Sequence, residues 1–398
     1  MGFAQGAKIT SDIVDEIVNG LIATGVWHNV DTTWNSTLKT MNDSRHALIY
    51  GAAGAAGKGN TTLSAAVSIG NSTISVVDST NFNVGDKVIL GDSYTGEVRD
   101  ITVVSTGSIT VNVGLNATHA VGDAVKEIDF EIFMAIEVIN QTPNGQNYYL
   151  VGWPTNNWYY GKGIRITFSQ SWDYTAHTYP TSNQSSFMGF ETCQYCGVSA
   201  DLATLMVTYY LWVDATGFVI MGKPEPTGDS QQQSFITVVE RNPSKEYADG
   251  YTNFFCYMAG NLWQQLYDGN NIGSIYRSRS VLRPFAFQWP DAGGQTTASA
   301  NGNGISFVPL PSYYAFRSGV VGTTGNNKVY YVKPMLHNIV GQIAPIFQSD
   351  LFFLWSEGVG LIDGDVISID GRTTKYLCKA LDSPDSPSRL TYAIKYVG

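Results

Sequence analysis

The chain reads as mainly β: a small β-barrel or sandwich domain plus a larger β-rich domain, with an N-terminal amphipathic helix. Three observations predict this. Runs of Val, Ile, Thr, Tyr, Phe and Trp recur between turns of Gly, Asn, Asp and Pro, the composition of strands on a pleated, half-buried surface. One turn pattern occurs twice, in Phe82-Asn-Val-Gly-Asp-Lys-Val88 and in His119-Ala-Val-Gly-Asp-Ala-Val125. Near the N-terminus, Ile13, Val14, Ile17, Val18, Leu21 and Ile22 recur at helical spacing and make one apolar stripe.

Taken in order, Thr10 and Ser11 cap a helix over 11–24, whose first turns carry Asp12, Asp15 and Glu16 where carboxylates suit the helix dipole. From Trp27 through Trp34 to Tyr50 the residues mix Trp, Asn, Asp and Thr, and the segment reads as irregular chain closing on a short helix. Gly51 to Gly59 is a small-residue linker, flexible by composition. It is no phosphate loop, because Gly59 follows Lys58 where a Ser or Thr is required.

Residues 61–128 read as a compact β unit. Its expected strands are 72–77, 87–90, 99–104 and 108–113, and Gly85 and Gly122 are expected at turn positions that strain other residues. Longer strands with larger aromatics follow at 132–140, 148–152, 163–168, 202–213, 217–221 and 234–240. The run 202–211 reads equally as a buried helix, and the second half of 251–267 reads as helical. Residues 291–304 read as a polar solvent loop, and the last third supplies further strands at 328–333, 347–355 and 360–397. The expected domains are therefore a helical segment and Gly/Ala linker at 1–60, a small β domain at 61–128, and a large β-rich domain at 129–398.

Charge narrows the function classes. Only 14% of the residues are charged and they sum to −10, with no basic run, which argues against recognition of a nucleic-acid backbone. No stretch reaches the apolar length of a membrane span, and the first residues lack the apolar core of a secretory leader. A surface this poor in charge suits a protein packed against copies of itself. It also suits an extracellular β protein.

No constellation compels a chemistry. Cys193 and Cys196 have the spacing of a metal or redox pair, but no second close pair joins them, and Cys256 and Cys378 stand apart. The histidines His28, His46, His119, His177 and His337 are scattered without ligand spacing. Asp173, Glu191, Asp201 and Glu240 are the acids a glycosidase would draw on, with Trp153, Trp158, Tyr159 and Tyr160 as sugar-stacking rings, but the required separation is a spatial property. Asp363, Asp365 and Asp370 lie in tight Gly turns without a calcium-loop pattern, and 382–387 reads as a rigid surface turn. The expectation is thus no catalytic, cofactor-binding or metal-binding residue, no cofactor, and no enzyme activity.

The unit from Thr61 to Ile128, with its Ser-Thr-Ile-Ser-Val-Val strand and two Val-Gly-Asp turns, resembles small β modules of tailed-bacteriophage structural proteins. The run Gly358 to Gly371, with Thr391-Tyr-Ala-Ile-Lys395, is similar to phage tail-region proteins. The resemblance implies a non-enzymatic virion subunit of the tail, neck or baseplate, assembled in the bacterial host cytoplasm. It implies self-association in a symmetric ring or tube and contact with other virion structural proteins, without nucleic-acid recognition or membrane insertion. The alternatives are a carbohydrate-binding surface or receptor-binding module and, behind it, a polysaccharide depolymerase.

Overall fold

A computed structural model describes residues 2–31, 45–140, 161–169, 171–177, 186–189, 193–194, 205–225, 235–241, 254–260, 305–308, 335–338, 344–348, 350–354, 362–368, 373–383 and 386–397. The fold is predominantly β with one N-terminal helix among the described residues. In chain order the first elements are β1 (Phe3–Ile9), α1 (Thr10–Ile22), β2 (Trp27–Asn29), β3 (Arg45–Tyr50), β4 (Asn60–Thr62), β5 (Thr73–Ser75), β6 (Lys87–Leu90), β7 (Glu97–Ser105), β8 (Ser108–Val111) and β9 (Ala124–Ile128). Then come β10 (Ile132–Asn140), β11 (Gly161–Ser169), β12 (Ser186–Gly189), β13 (Cys193–Gln194), β14 (Met206–Asp214), β15 (Gly217–Pro224), β16 (Phe235–Arg241) and β17 (Phe254–Gly260). The last are β18 (Ile305–Val308), β19 (Met335–Asn338), β20 (Ala344–Gln348), β21 (Phe352–Leu354), β22 (Val366–Ser368), β23 (Lys375–Ser383) and β24 (Ser386–Tyr396).

The chain divides into two compact units, one of Met1–Ile13, Ile139–Ile164 and Met188–Gly398, the other of Val14–Val138 and Arg165–Phe187. In the second unit a six-stranded sheet runs β4-β9-β6-β7-β8-β5 and curls into a half-barrel, its outer strands tied by the Leu63–Val76 bridge. Its interior holds Leu63, Val67, Ile74, Val76, Phe82, Val88, Leu90, Ile101, Ile109 and Val125. This burial follows from alternation, which sends every second side chain of a strand inward.

The sheet carries an internal two-fold repeat. Strands β4, β5 and β6 correspond to β7, β8 and β9, and the repeated Gly-Asp turns fall at the same place in each half. At the first turn the Asn83 N–H donates to the Asp86 carboxylate, the Gly85 N–H to Ile101 C=O, and the Ile101 N–H to Asp86 C=O. At the second, Ala120 donates to the Asp123 carboxylate, Gly122 to Leu63 C=O, and Leu63 to Asp123 C=O. Gly85 and Gly122 have φ of 95° and 90°, the turn role expected of them. Other bonds match in the same way: Val76 N–H to Gly107 C=O repeats as Val111 N–H to Ser72 C=O, and Val77 to Thr62 repeats as Asn112 to Asp100. The central pair Ile74 and Ile109 sits opposite its own counterpart, where a two-fold axis would pass.

A third copy of the turn, at Ile362 to Asp365, lies in the other unit and leads into the four-stranded sheet β21-β24-β23-β22. There Ile362 donates to the Asp365 carboxylate, Gly364 to Cys378 C=O, and Cys378 to Asp365 C=O. Gly364 again has a positive φ, 93°. Three stretches of one chain thus converge on one turn device. One buried residue, Ile101, Leu63 or Cys378, supplies both backbone bonds each time.

Several expectations need correction. Strand β1 precedes the helix, and the segment 27–50 begins with β2 and closes on strand β3 rather than on a short helix, with 32–44, Trp34 among them, outside the described residues. The run 202–211 is strand from Met206 onward, because it pairs with β1 on one side and β15 on the other. Within 251–267, residues 254–260 form β17, while 261–267, like 148–152, 291–304 and 328–333, lie outside the described residues. The 51–59 segment is held by backbone bonds from Gly51 to Val26, Gly54 to Glu127 and Asp129 to Ala52, so it is not a flexible linker. The apolar stripe of α1 is buried within this chain, from Ile13 at 1% to Leu21 at 0% exposure, so the helix presents no free apolar face.

Candidate functional site

The region that unites most of the informative side chains is the half-barrel with the loop that folds against it. Beyond β11, residues 171–177 bring Trp172 and Tyr174 into a core with Val30, Ile49, Ile89, Val98, Ile128 and Phe133. Two polar clusters lie in this unit. Each was invisible as a spacing pattern, because it joins stretches that lie far apart in sequence.

The first cluster centres on Glu97, buried beside Arg99 at 2.6 Å. Its carboxylate also accepts from the backbone N–H of Asn116 and Ala117, both at 2.7 Å, and from His119 Nε2 at 3.1 Å. Burial alone would raise the Glu97 carboxyl, but the bonds from His119 and Asn116 and the Arg99 charge together hold it below the usual range. Arg99 donates further to Val98 and Gly114 carbonyls and lies over the Tyr174 ring. Burial, then the neighbouring Asp100 carboxylate, pushes the Tyr174 phenol well up. Every strong acceptor of Glu97 is thereby committed to holding the loop that precedes the second turn.

The second cluster is Asp31, whose side chain is fully buried, with Trp172 Nε1 at 3.3 Å and His177 Nδ1 at 2.6 Å. His177 reaches it from a positive φ of 51°, unusual for a residue with a Cβ. The acid fixes the His177 tautomer with its proton on Nδ1. This is a positioned imidazole, and among the described residues no group of three or more His, Cys, Asp or Glu side chains gathers to hold a metal ion.

The other candidates that the structure describes are placed as follows. His28 is buried, its Nε2 donating to Gly51 C=O at 3.0 Å and its Nδ1 accepting from Ser93 at 2.8 Å, and burial lowers its pKa. His46 pairs with Asp15 at 2.8 Å. His337 is in β19, across from Ser306 and Pro345. Asp173 caps its own turn through the N–H groups of Thr175 and Ala176, and Glu240 accepts from the Asp350 N–H at 2.8 Å. These two acids lie in separate compact units. Cys193 is placed in strand β13 opposite Lys162, whereas Cys196, Glu191, Asp201, Trp153, Trp158, Tyr159, Tyr160 and Asp370 lie outside the described residues.

Asp363 and Asp365 are turned to internal use. Asp363 takes Lys379 Nζ at 2.7 Å and the Ala380 N–H at 2.7 Å, while Asp365 caps the turn itself. Cys378 beside them is buried, and burial followed by these two carboxylates pushes its thiol up to about 12. Lys58 of the Gly-rich segment is bound to Glu127 at 2.8 Å, which also accepts from the Gly59 N–H.

Among the residues the half-barrel leaves outward are several large apolar ones. Ile69, Val77, Val84 and Val121 are each about two-thirds exposed, at 65%, 68%, 66% and 64%. Val84 and Val121 occupy the same position in the two repeated turns. The turns precede antiparallel neighbours β6 and β9, so the two valines stand at opposite ends of the sheet. Meanwhile every Asp and Glu between 61 and 128 accepts a bond from this chain, as Asp78, Asp86, Asp92, Asp100, Asp123 and Glu127 do in addition to Glu97. The acids, exposed or buried, are bonded within the chain, and these four apolar side chains are exposed.

Comparison with known proteins finds no matching family model, no matching curated protein and no matching solved structure.

Proposed function

We propose that this chain is a non-enzymatic structural protein of a tailed-bacteriophage virion, a repeated subunit of the tail, neck or baseplate. The observation that carries the reading is the half-barrel's division of labour: its carboxylates hold its own turns, and large apolar side chains at Ile69, Val77, Val84 and Val121 face outward. Exposed apolar side chains on a charge-poor unit suit contact with other protein surfaces, not turnover of a substrate. The two Val-Gly-Asp turns that bear Val84 and Val121 are the same residues on which the resemblance to phage modules rests. In this reading the half-barrel closes as a small barrel and serves as a contact module, in a chain that forms a ring or tube with copies of itself.

The test is quantitative mass spectrometry of purified tailed-phage particles whose genome encodes this chain. The expected result is the intact chain at a fixed copy number in the tail, neck or baseplate fraction. Its absence from particles, together with sugar release from host-envelope polysaccharide by the isolated chain, overturns the proposal in favour of a depolymerase.

A further inference from the structure

The five-stranded sheet of the first unit runs β1-β14-β15-β16-β17, so among the described residues β1 is an outer strand. All of Phe3 to Ile9 pairs with β14 on the inner side, in the register Phe3 to Trp212 through Ile9 to Met206. The Val213 N–H donates to Gly2 C=O, which identifies Gly2 and Val213 as a hydrogen-bonded pair. Antiparallel pairs alternate. Ala4, Gly6 and Lys8 therefore spend their backbone groups on β14, and Phe3, Gln5 and Ala7 present N–H and C=O outward, while Ile9 presents its N–H alone, its C=O being taken by the first turn of α1.

Outer strands are ordinarily blunted by Pro, by several charges or by a bulge. In Phe3-Ala-Gln-Gly-Ala-Lys-Ile9 the lone charge is Lys8, there is no Pro, and the register is unbroken over its length. The middle residues Gln5, Gly6 and Ala7 are exposed.

We propose that β1 pairs with β1 of a second copy of this chain, antiparallel across a two-fold axis at Gly6. This contact rests on the self-association proposed above and names one surface through which it is made. In this register Gln5 faces Ala7 of the second copy and the two exchange both backbone bonds, while Phe3 faces Ile9, whose N–H donates to the Phe3 C=O. Gly6 meets Gly6 at a non-hydrogen-bonded site, where the backbones come to about 4.5 Å and side chains crowd most. A residue without a side chain fits that site. Lys8 falls opposite Ala4, so the strand's single charge never opposes its own copy in a chain of net charge −10. The contact is isologous and joins two five-stranded sheets into one continuous sheet.

Gly6→Cys gives the direct test on the full-length chain. A Cβ at Gly6 would lie 3.5 Å from the Tyr209 ring, an ordinary contact, so the substitution leaves β1 on β14. A spacing near 4.5 Å lies at the short end of the span a disulfide bridges. Mild oxidation is expected to convert G6C into a reducible dimer that the unsubstituted chain, with its own four cysteines, does not form. Ala7→Pro removes an outward N–H and leaves the bonds to β14 intact, and is expected to weaken association measured by sedimentation by about tenfold or more. Association unchanged by Ala7→Pro, or G6C that links no more than the unsubstituted chain, overturns the β1 contact while self-association stands. A chain that sediments as a monomer at every concentration overturns both.

Discussion

His177 donates its Nδ1–H to the buried carboxylate of Asp31 at 2.6 Å, across 146 residues of sequence. The bond explains why His177 tolerates a φ of 51°, since the backbone strain is offset by a charge-assisted contact in a buried place. Asp31→Ala removes the acceptor that His177 and Trp172 share. It is expected to cost about 2–3 kcal/mol, read as a lowered urea midpoint at unchanged slope. A midpoint equal to that of the unsubstituted chain would show that the pair holds nothing.

Gly85 and Gly122 test the internal repeat. A Cβ at either position meets nothing within 4 Å, so the whole cost of substitution is the left-handed backbone at φ 95° and 90°. Gly85→Ala and Gly122→Ala are each expected to lose about 1–2 kcal/mol in equilibrium unfolding, and by similar amounts. Clearly unequal losses would mean the two halves are not equivalent.

The repeat was partly legible in the sequence because the turn needs Gly for its φ and Asp for its cap, and both residue types recur at one spacing. Strands β6, β10 and β15 were legible for a related reason: Val, Ile and Phe stand between turn residues. Strand β1 was not, since Ala, Gln and Gly carry no strand signal and its partner lies beyond residue 200. Strand β3 was misread because Ala47, Leu48 and Ile49 are all buried, which erases the alternation that marks a strand with one wet face. The pairs Asp31 with His177 and Glu97 with His119 depend on which loops meet, and spacing does not encode that.

Glu97 gives the small unit a pH dependence with a definite sign. Its folded carboxyl is held below the usual range, so the unfolded chain binds the proton more readily. The resulting stability is fully present above the ordinary glutamate value of about 4.3 and is lost as pH falls through the lower folded value. Glu97→Gln is expected to cost about 3–5 kcal/mol at neutral pH, by leaving Arg99 buried without its charge partner, and to flatten the acid limb of a stability profile. An acid limb as steep in the variant as in the parent would place the dependence elsewhere.

The Gly-rich segment 51–59 is expected to behave as fixed structure. A Cβ on Gly51 would lie 2.3 Å from the Asp129 carbonyl oxygen and one on Gly59 2.3 Å from the Phe82 ring, so either Ala substitution forces its surroundings apart. Hydrogen exchange should find the Gly51, Gly54 and Gly59 amides protected, and limited proteolysis should spare the segment. Early cleavage there would restore the flexible-linker reading.

The central claim is that this chain acts by assembling, and electron microscopy of the purified full-length protein tests it most directly. The expected result is closed rings or tubes of one repeating subunit, which Val84→Ser with Val121→Ser reduces to smaller species without unfolding the chain. Uniform single-chain particles at every concentration, unchanged by those substitutions, would contradict it.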